Sequence, residues 1–312
     1  MKYVAGVDLG GTNTKIGIVD TEGHIVESTS IKTDSMRGIE DTFTRIWRSI
    51  EDLAKKNSVR VEGIGMGIPG PVVDQSVVTF FANFPWEAGT DCSQLMERIS
   101  GIPTKLDNDV NVIALGEARF GAGRGYRSSV TIALGTGVGG GIYVDGKLIS
   151  GMTGAGGEIG HMKLVKDGKL CGCGQRGCFE AYTSATGIIR EATSRLLVNK
   201  TNALYERIGG DLSVLEAKDI FDAAREGDEF SLDIVEYEAE YLAMGIGNIL
   251  NIINPKAIIL GGGVALAGDI LLKPLREKLK KYAMGATLDG LEILQAELGN
   301  EGGVVGASAL VL

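Results

Sequence analysis

The 312-residue sequence predicts an α/β protein of two lobes meeting at a cleft, and three observations carry that prediction. An apolar strand pattern near the start runs into a glycine turn, a second strand, an Asp-containing turn and a third strand. The same order returns in the middle of the chain, which favours two related domains over two chance hairpins. Segments of helical spacing separate and follow the two copies.

The elements follow in order. Val4 to Leu9 reads as a strand and ends in Gly10-Gly11-Thr12-Asn13-Thr14; Lys15 to Val19 and His24 to Thr29 complete a meander around Asp20-Thr21-Glu22-Gly23. Ile39, Phe43, Ile46, Trp47, Ile50, Leu53 and Ala54 recur at helical spacing, so residues 38–57 form an amphipathic helix. Val61 to Ile68 returns to strand and stops at Pro69-Gly70-Pro71. Asn108-Asp109-Val110-Asn111 precedes an apolar-patterned segment, Val112 to Phe120, which places Asp109 at a helix start. In the second copy, Val130 to Leu134 is the strand, Gly135 to Gly141 the turn, Ile142 to Val144 the next strand and Asp145-Gly146-Lys147 the second turn. Helices follow over residues 179–197 and 232–254, and a buried strand, Ala257 to Leu260, enters Gly261-Gly262-Gly263.

Composition narrows the function classes. Hydrophobic residues make up 44% and charged residues 23%, an ordinary globular balance. The net charge of −9 repels phosphate backbones and argues against a nucleic-acid partner. No apolar run is long enough to span a membrane, and the first residues pass into a strand pattern without a signal peptide, so a cytoplasmic location is expected.

Glycine turns between strands aim several backbone N–H groups at one point with no side chain in the way, a cradle for phosphate. A pair of ligand-free tight hairpins is the plainer alternative for one turn; two matched turns, each with a threonine and one preceded by Asp8, favour phosphate. Gly135-x-Gly137-x-x-Gly140 fits the dinucleotide fingerprint in letters, but a strand follows where that fingerprint needs a helix. Three of the four cysteines, Cys171, Cys173 and Cys178, lie close together after His161, a Cys₃His set suited to structural zinc. Reduced thiols in a loop are the alternative. Cys92 stands apart as a small apolar residue, and His24 sits in a turn.

Asp8-Leu9-Gly10-Gly11-Thr12-Asn13-Thr14-Lys15 resembles the first phosphate motif of the sugar kinase, Hsp70 and actin superfamily. Leu134 to Gly141 resembles its second, and Leu260-Gly261-Gly262-Gly263 its adenosine motif. Cys171-x-Cys173-Gly174-x-x-Gly177-Cys178-x-Glu180 matches the zinc motif of the ROK family, and within that family the likeness is to the bacterial glucokinases. The resemblance implies two RNase H-like (actin-like ATPase) domains, here placed at 1–113, with the 301–312 helix, and at 114–300, with a zinc loop at 161–178. It implies ATP and Mg²⁺ as nucleotide and metal, with Asp8, Gly10, Gly11, Thr12, Lys15, Gly135, Thr136, Gly137, Gly262 and Gly263 around them. Asp109 becomes the base that takes the proton from the 6-hydroxyl of a hexose, glucose first. Asn83, Asn108, Glu158, His161 and Glu180 become the sugar cradle, and Zn²⁺ becomes a structural ion whose imidazole ligand keeps a second nitrogen for the sugar. A homodimer is also implied. The metal cluster is expected to serve the sugar cradle and to leave the two phosphate turns alone.

Kinases for N-acetylmannosamine, N-acetylglucosamine, fructose or mannose share nearly every motif, and polyphosphate is an alternative donor. From another class, a sugar-sensing repressor of the same family carries a helix-turn-helix ahead of its first phosphate motif. Asp8 stands too near the first residue for one.

Overall fold

The computed structural model describes residues 2–81 and 83–312; Met1 and Ala82, the neighbour of Asn83, lie outside the described residues. The chain forms two compact units. The first comprises Met1–Thr131, Gly141–Gly157 and Ala296–Leu312, the second Ile132–Gly140 and Glu158–Gln295. The division thus falls inside a strand near residue 131, where a boundary at 113/114 was expected. The reason is the helix that begins at Asp109: it packs on the C-terminal helix, Gly302–Ser308, and stays with the first unit.

The first unit is built on strands β1 (Tyr3–Leu9), β2 (Asn13–Asp20), β3 (Ile25–Lys32), β4 (Val61–Ile68) and β5 (Thr104–Asn108). Their order is β3-β2-β1-β4-β5, antiparallel through the meander and parallel across β1, β4 and β5. Helix α1 (Ile39–Lys56) buries Phe43, Ile46, Ile50 and Leu53, as its spacing predicts, with Glu40 and Asp41 in its first turn and Lys55 and Lys56 in its last. Helix α2 (Cys92–Ser100) and α3 (Asp109–Phe120) follow. Cys92 is wholly buried in the core, and burial pushes its thiol up to about 12, so it is a spacer and not a reactive group. His24 is not alone: its ring lies 3.3 Å from Asp20.

The second sheet repeats the plan with β6 (Ser128–Leu134), β7 (Val138–Val144), β8 (Lys147–Leu148), β9 (Ala257–Gly261) and β10 (Glu292–Gln295), in the order β8-β7-β6-β9-β10. The RNase H-like strand order is therefore present twice. The glycine turn is shorter than the sequence suggested, because β7 already starts at Val138 and leaves only Gly135 to Gly137 outside the ladder. The helix expected over residues 179–197 is two, α4 (Glu180–Thr183) and α5 (Ala185–Leu196). Ser184 breaks them: its backbone is extended, and its side chain caps α5 by accepting from the Gly187 N–H. The long α6 (Glu229–Ile253) packs against α7 (Asp269–Leu279), a helix the sequence reading did not foresee. Among the described residues, no helix is long and apolar enough to cross a membrane.

Candidate active site

In the first unit, Asp8 stands next to the end of β1 and pairs in register with Lys15 across the first glycine turn. Gly10 N–H donates to the Asn13 carbonyl at 3.1 Å, and the Gly10 carbonyl accepts from Thr33 Oγ1 at 2.6 Å. Thr33 Oγ1 is also 2.9 Å from the Thr14 hydroxyl, and the Thr33 N–H reaches the Thr12 carbonyl at 3.0 Å. Gly11 and Thr12 are exposed at the tip. Asn83 lies beside them, since a Cβ on Gly11 would come within 3.9 Å of its Cβ. Its loop rests on an aromatic bed in which Phe84 stacks on Trp86 at 4.4 Å and Phe81 meets Trp86 edge-on.

Burial raises the Asp8 carboxyl above its usual range; Lys15 works against the rise and Asp109 adds to it, so the two carboxylates feel each other. Gly303 of the C-terminal helix covers Asp8 so closely that a Cβ there would lie 2.6 Å from the carboxylate. Lys15 Nζ donates to the Asn300 carbonyl just before that helix. No sequence motif pointed to Gly303, because its role comes from a close approach between chain ends.

Asp109 is the first residue of α3 and not its cap. Asn108 is the cap: its Oδ1 accepts from Val110 N–H at 2.9 Å and Asn111 N–H at 3.2 Å, while its amide donates to Gly70 O at 3.3 Å. The Asn108 side chain also bonds the Asp109 carboxylate, which works against the rise that burial imposes on it. Asp109 is relieved of the capping duty that its position suggested. Burial raises its carboxyl, opposed by the hydrogen bond from Val110 N–H. Below it a buried pair, Asp107 with Asn111 at 2.8 Å, ties the strand end to the helix.

In the second unit, Gly135 N–H donates to the Gly137 carbonyl at 3.0 Å, closing the turn, and Thr136 is exposed. Gly262 and Gly263 follow β9; Gly262 backs onto Leu134 at the turn's entrance, and Gly263 faces open space. Glu180 does more than the cradle role assigned to it: its Oε2 accepts from the Val138 N–H at 3.0 Å, and its Oε1 is 3.2 Å from Cys171 Sγ. Glu158 Oε2 lies 3.9 Å from His161 Nε2.

The cluster is assembled. The ligand atoms of His161, Cys171, Cys173 and Cys178 all lie within 4.8 Å of one another. Cys173 and Cys178 sulfurs are 3.8 Å apart, and Cys171 Sγ is 3.8 Å from His161 Nδ1. Zinc–sulfur arms of ~2.3 Å give tetrahedral edges of about 3.8 Å, so the donor set fits zinc in both chemistry and size. Lys163 Nζ, 2.8 Å from Cys178 Sγ, supplies a positive neighbour that the sequence reading missed.

The ROK family pattern matches residues 4–312. This chain belongs to the ROK family. It is 39% identical to a glucokinase of Halalkalibacterium halodurans, over 99% of this chain and 95% of that one. It is 37% identical to a glucokinase of Thermotoga maritima, over 98% and 96%. A ROK family glucokinase from Streptomyces griseus, solved with glucose and AMPPNP, superposes with a TM-score of 0.81 at 35% identity, covering 99% of this chain and 98% of its own. The fold is the two-domain, actin-like ATPase fold of the ROK sugar kinases.

Proposed function

We propose that the protein transfers the γ-phosphoryl group of ATP to the 6-hydroxyl of glucose, giving glucose 6-phosphate and ADP. The observation that carries this reading is Asp109, a carboxylate at the helix start that Asn108 frees from capping and that burial raises above its ordinary value. Its carboxylate accepts the 6-hydroxyl proton as that oxygen bonds to the γ-phosphorus, and the bond to the bridging oxygen of ADP breaks. Phosphoryl transfer has a loose transition state, so a positioned acceptor is sufficient.

The remaining residues bind and orient. Backbone N–H groups and the hydroxyls of Thr12 and Thr136 hold phosphate oxygens; Gly262 and Gly263 leave room for adenosine. Asp8, beside Lys15, suits Mg²⁺, which supplies charge neutralisation when bound. Asn83, Asn108, Glu158, His161 and Glu180 bond the sugar hydroxyls. His161, Cys171, Cys173 and Cys178 hold structural zinc. The same reading places the protein in the cytoplasm as a homodimer.

A coupled ADP-release assay against glucose, mannose, fructose, N-acetylglucosamine and N-acetylmannosamine tests it. Glucose should give the highest kcat/KM. A higher value for an amino sugar would move the assignment to another kinase of the family.

A further inference from the structure

Val138 closes the second glycine turn, and its backbone is gripped from two sides. Its N–H donates to Glu180 Oε2 at 3.0 Å, two residues beyond Cys178. Its carbonyl oxygen faces Gly160, the residue before His161, so closely that a Cβ at 160 would sit 2.1 Å from it. The rest of the turn is held from the segment just past Glu180. Gly135 O accepts from Ala185 N–H at 2.8 Å, and Thr136 O accepts from Thr186 Oγ1 at 2.9 Å.

We propose that the Cys₃His cluster anchors the nucleotide turn. This rests on the readings of the cluster as a zinc site and of residues 135–138 as a phosphate cradle. Glu180 opens the short helix α4, and the chain between the two grips has little regular structure of its own. Residues 159–161 are one turn of 3₁₀ helix, and between 162 and 178 the strand-like pairs are the isolated bridges Lys163 to Cys178 and Leu170 to Arg176. A metal that joins His161 to Cys171, Cys173 and Cys178 closes those loops and fixes both ends of the grip at once. Removing it frees Gly160 and Glu180 together, and with them the direction in which the turn aims its N–H groups. Loss of metal therefore reaches the nucleotide as well as the sugar, against the expectation that the turn stands apart from the cluster.

The test compares wild-type, chelator-stripped wild-type, Cys173→Ser and Gly160→Ala, with zinc content and circular dichroism recorded for each. Amide exchange is followed at Val138 and Gly10, and Mg²⁺–AMPPNP binding is measured by calorimetry without sugar. In folded, zinc-free protein, Val138 exchange should rise at least ~10-fold and nucleotide Kd should weaken by about 10–100-fold, the range seen when supporting shells of metal sites are lost. Gly10, bonded within its own hairpin, should not change. Gly160→Ala should keep its zinc and still weaken nucleotide binding, because the methyl group meets the Val138 backbone and residue 160 is not itself a metal ligand. This variant carries the test if the stripped protein unfolds. Zinc-free, folded protein with native Val138 protection and unchanged Kd would overturn the proposal, as would normal nucleotide binding by zinc-loaded Gly160→Ala. Wild-type protein without zinc would remove the metal reading and this inference with it; zinc present with Val138 unmoved removes the inference alone.

Discussion

The two glycine turns present the same backbone chemistry, each with a closing bond of its own, and differ in what else fastens their carbonyls. The first, around Gly10 to Thr12, is held by its own meander: Asn13 opens β2 directly after the turn, and Thr33 directly follows β3, which pairs with β2 as β2 pairs with β1. The second, Gly135 to Gly137, is fastened by partners at Glu180, Ala185 and Thr186, more than forty residues on, beyond the cysteine loop. A local fastening forms with the hairpin and pays little loop entropy; a remote one holds only when the intervening chain is itself fixed. Duplicated topology thus does not duplicate stability. The first turn should survive damage elsewhere, and the second should report on it.

The largest expected effect leaves both turns untouched. Asp109→Asn removes the proton acceptor while keeping size and the helix start, since Asn108 provides the cap. kcat should fall by ~10²–10⁴-fold, with AMPPNP affinity and zinc content as in the wild type. A kcat near the wild-type value would assign the base elsewhere.

Next come the threonine hydroxyls at the turn tips. Thr12→Val and Thr136→Val each remove one donor to a charged phosphate, a bond worth about 1.5–3 kcal/mol, so KM for ATP should rise by roughly 10–100-fold with little change for the sugar. Both residues are exposed, and neither substitution disturbs the fastening. Sugar KM rising while ATP KM stays constant would refute the phosphate reading of that turn.

A smaller effect distinguishes the fastenings. Thr33→Val cuts the bond to Gly10 O and leaves the buried Thr14 hydroxyl without its partner. Stability should drop by about 1–3 kcal/mol and ATP KM should rise severalfold, while zinc content and Val138 exchange stay native. Parallel loss of zinc would show that the turns are not independent.

This division also explains what the sequence made legible. The meander, α1, the strand after Lys256 and the cysteine cluster each rest on local spacing, and each was found within a few residues of its observed bounds. The contacts that passed unseen join distant residues: Gly303 on Asp8, Gly160 on Val138, and Glu180 to Val138. Nothing in the neighbourhood of Gly303 or Gly160 marks a partner far along the chain, and a glycine serving a close approach looks like a glycine in a loop. The Asp109 role came from family likeness; what the structure adds is that Asn108 does the capping, so the two polar residues divide the work that one position seemed to demand.

The smallest effect concerns charge in the first unit. Asp8, Asp107 and Asp109 all have carboxyls raised chiefly by burial. A raised folded-state value means that the native protein binds protons more readily than the unfolded chain, whose aspartates titrate near ~3.9. The stabilising contribution of each group is therefore full below that value and is lost as pH rises through the folded one, so at neutral pH these ionised carboxylates cost stability. The half-buried Asp41 and Asp222, lowered mainly by hydrogen bonds to Arg45 and Lys218, act in the reverse direction and mask the trend in the whole protein. Pairing wild-type with Asp109→Asn isolates Asp109 together with its push on Asp8, because the groups that do not feel Asp109 cancel. Their melting temperatures should agree most closely in acid, and the variant should gain on the wild type as pH rises toward 7. The acid limb of wild-type kcat should lie above the ordinary aspartate range, since protonated Asp109 cannot take the sugar's proton. A variant less stable than wild type at pH 7, or one whose deficit is the same at every pH, would mean that the Asp109 charge is compensated in the fold and that its raised carboxyl is not what tunes the base.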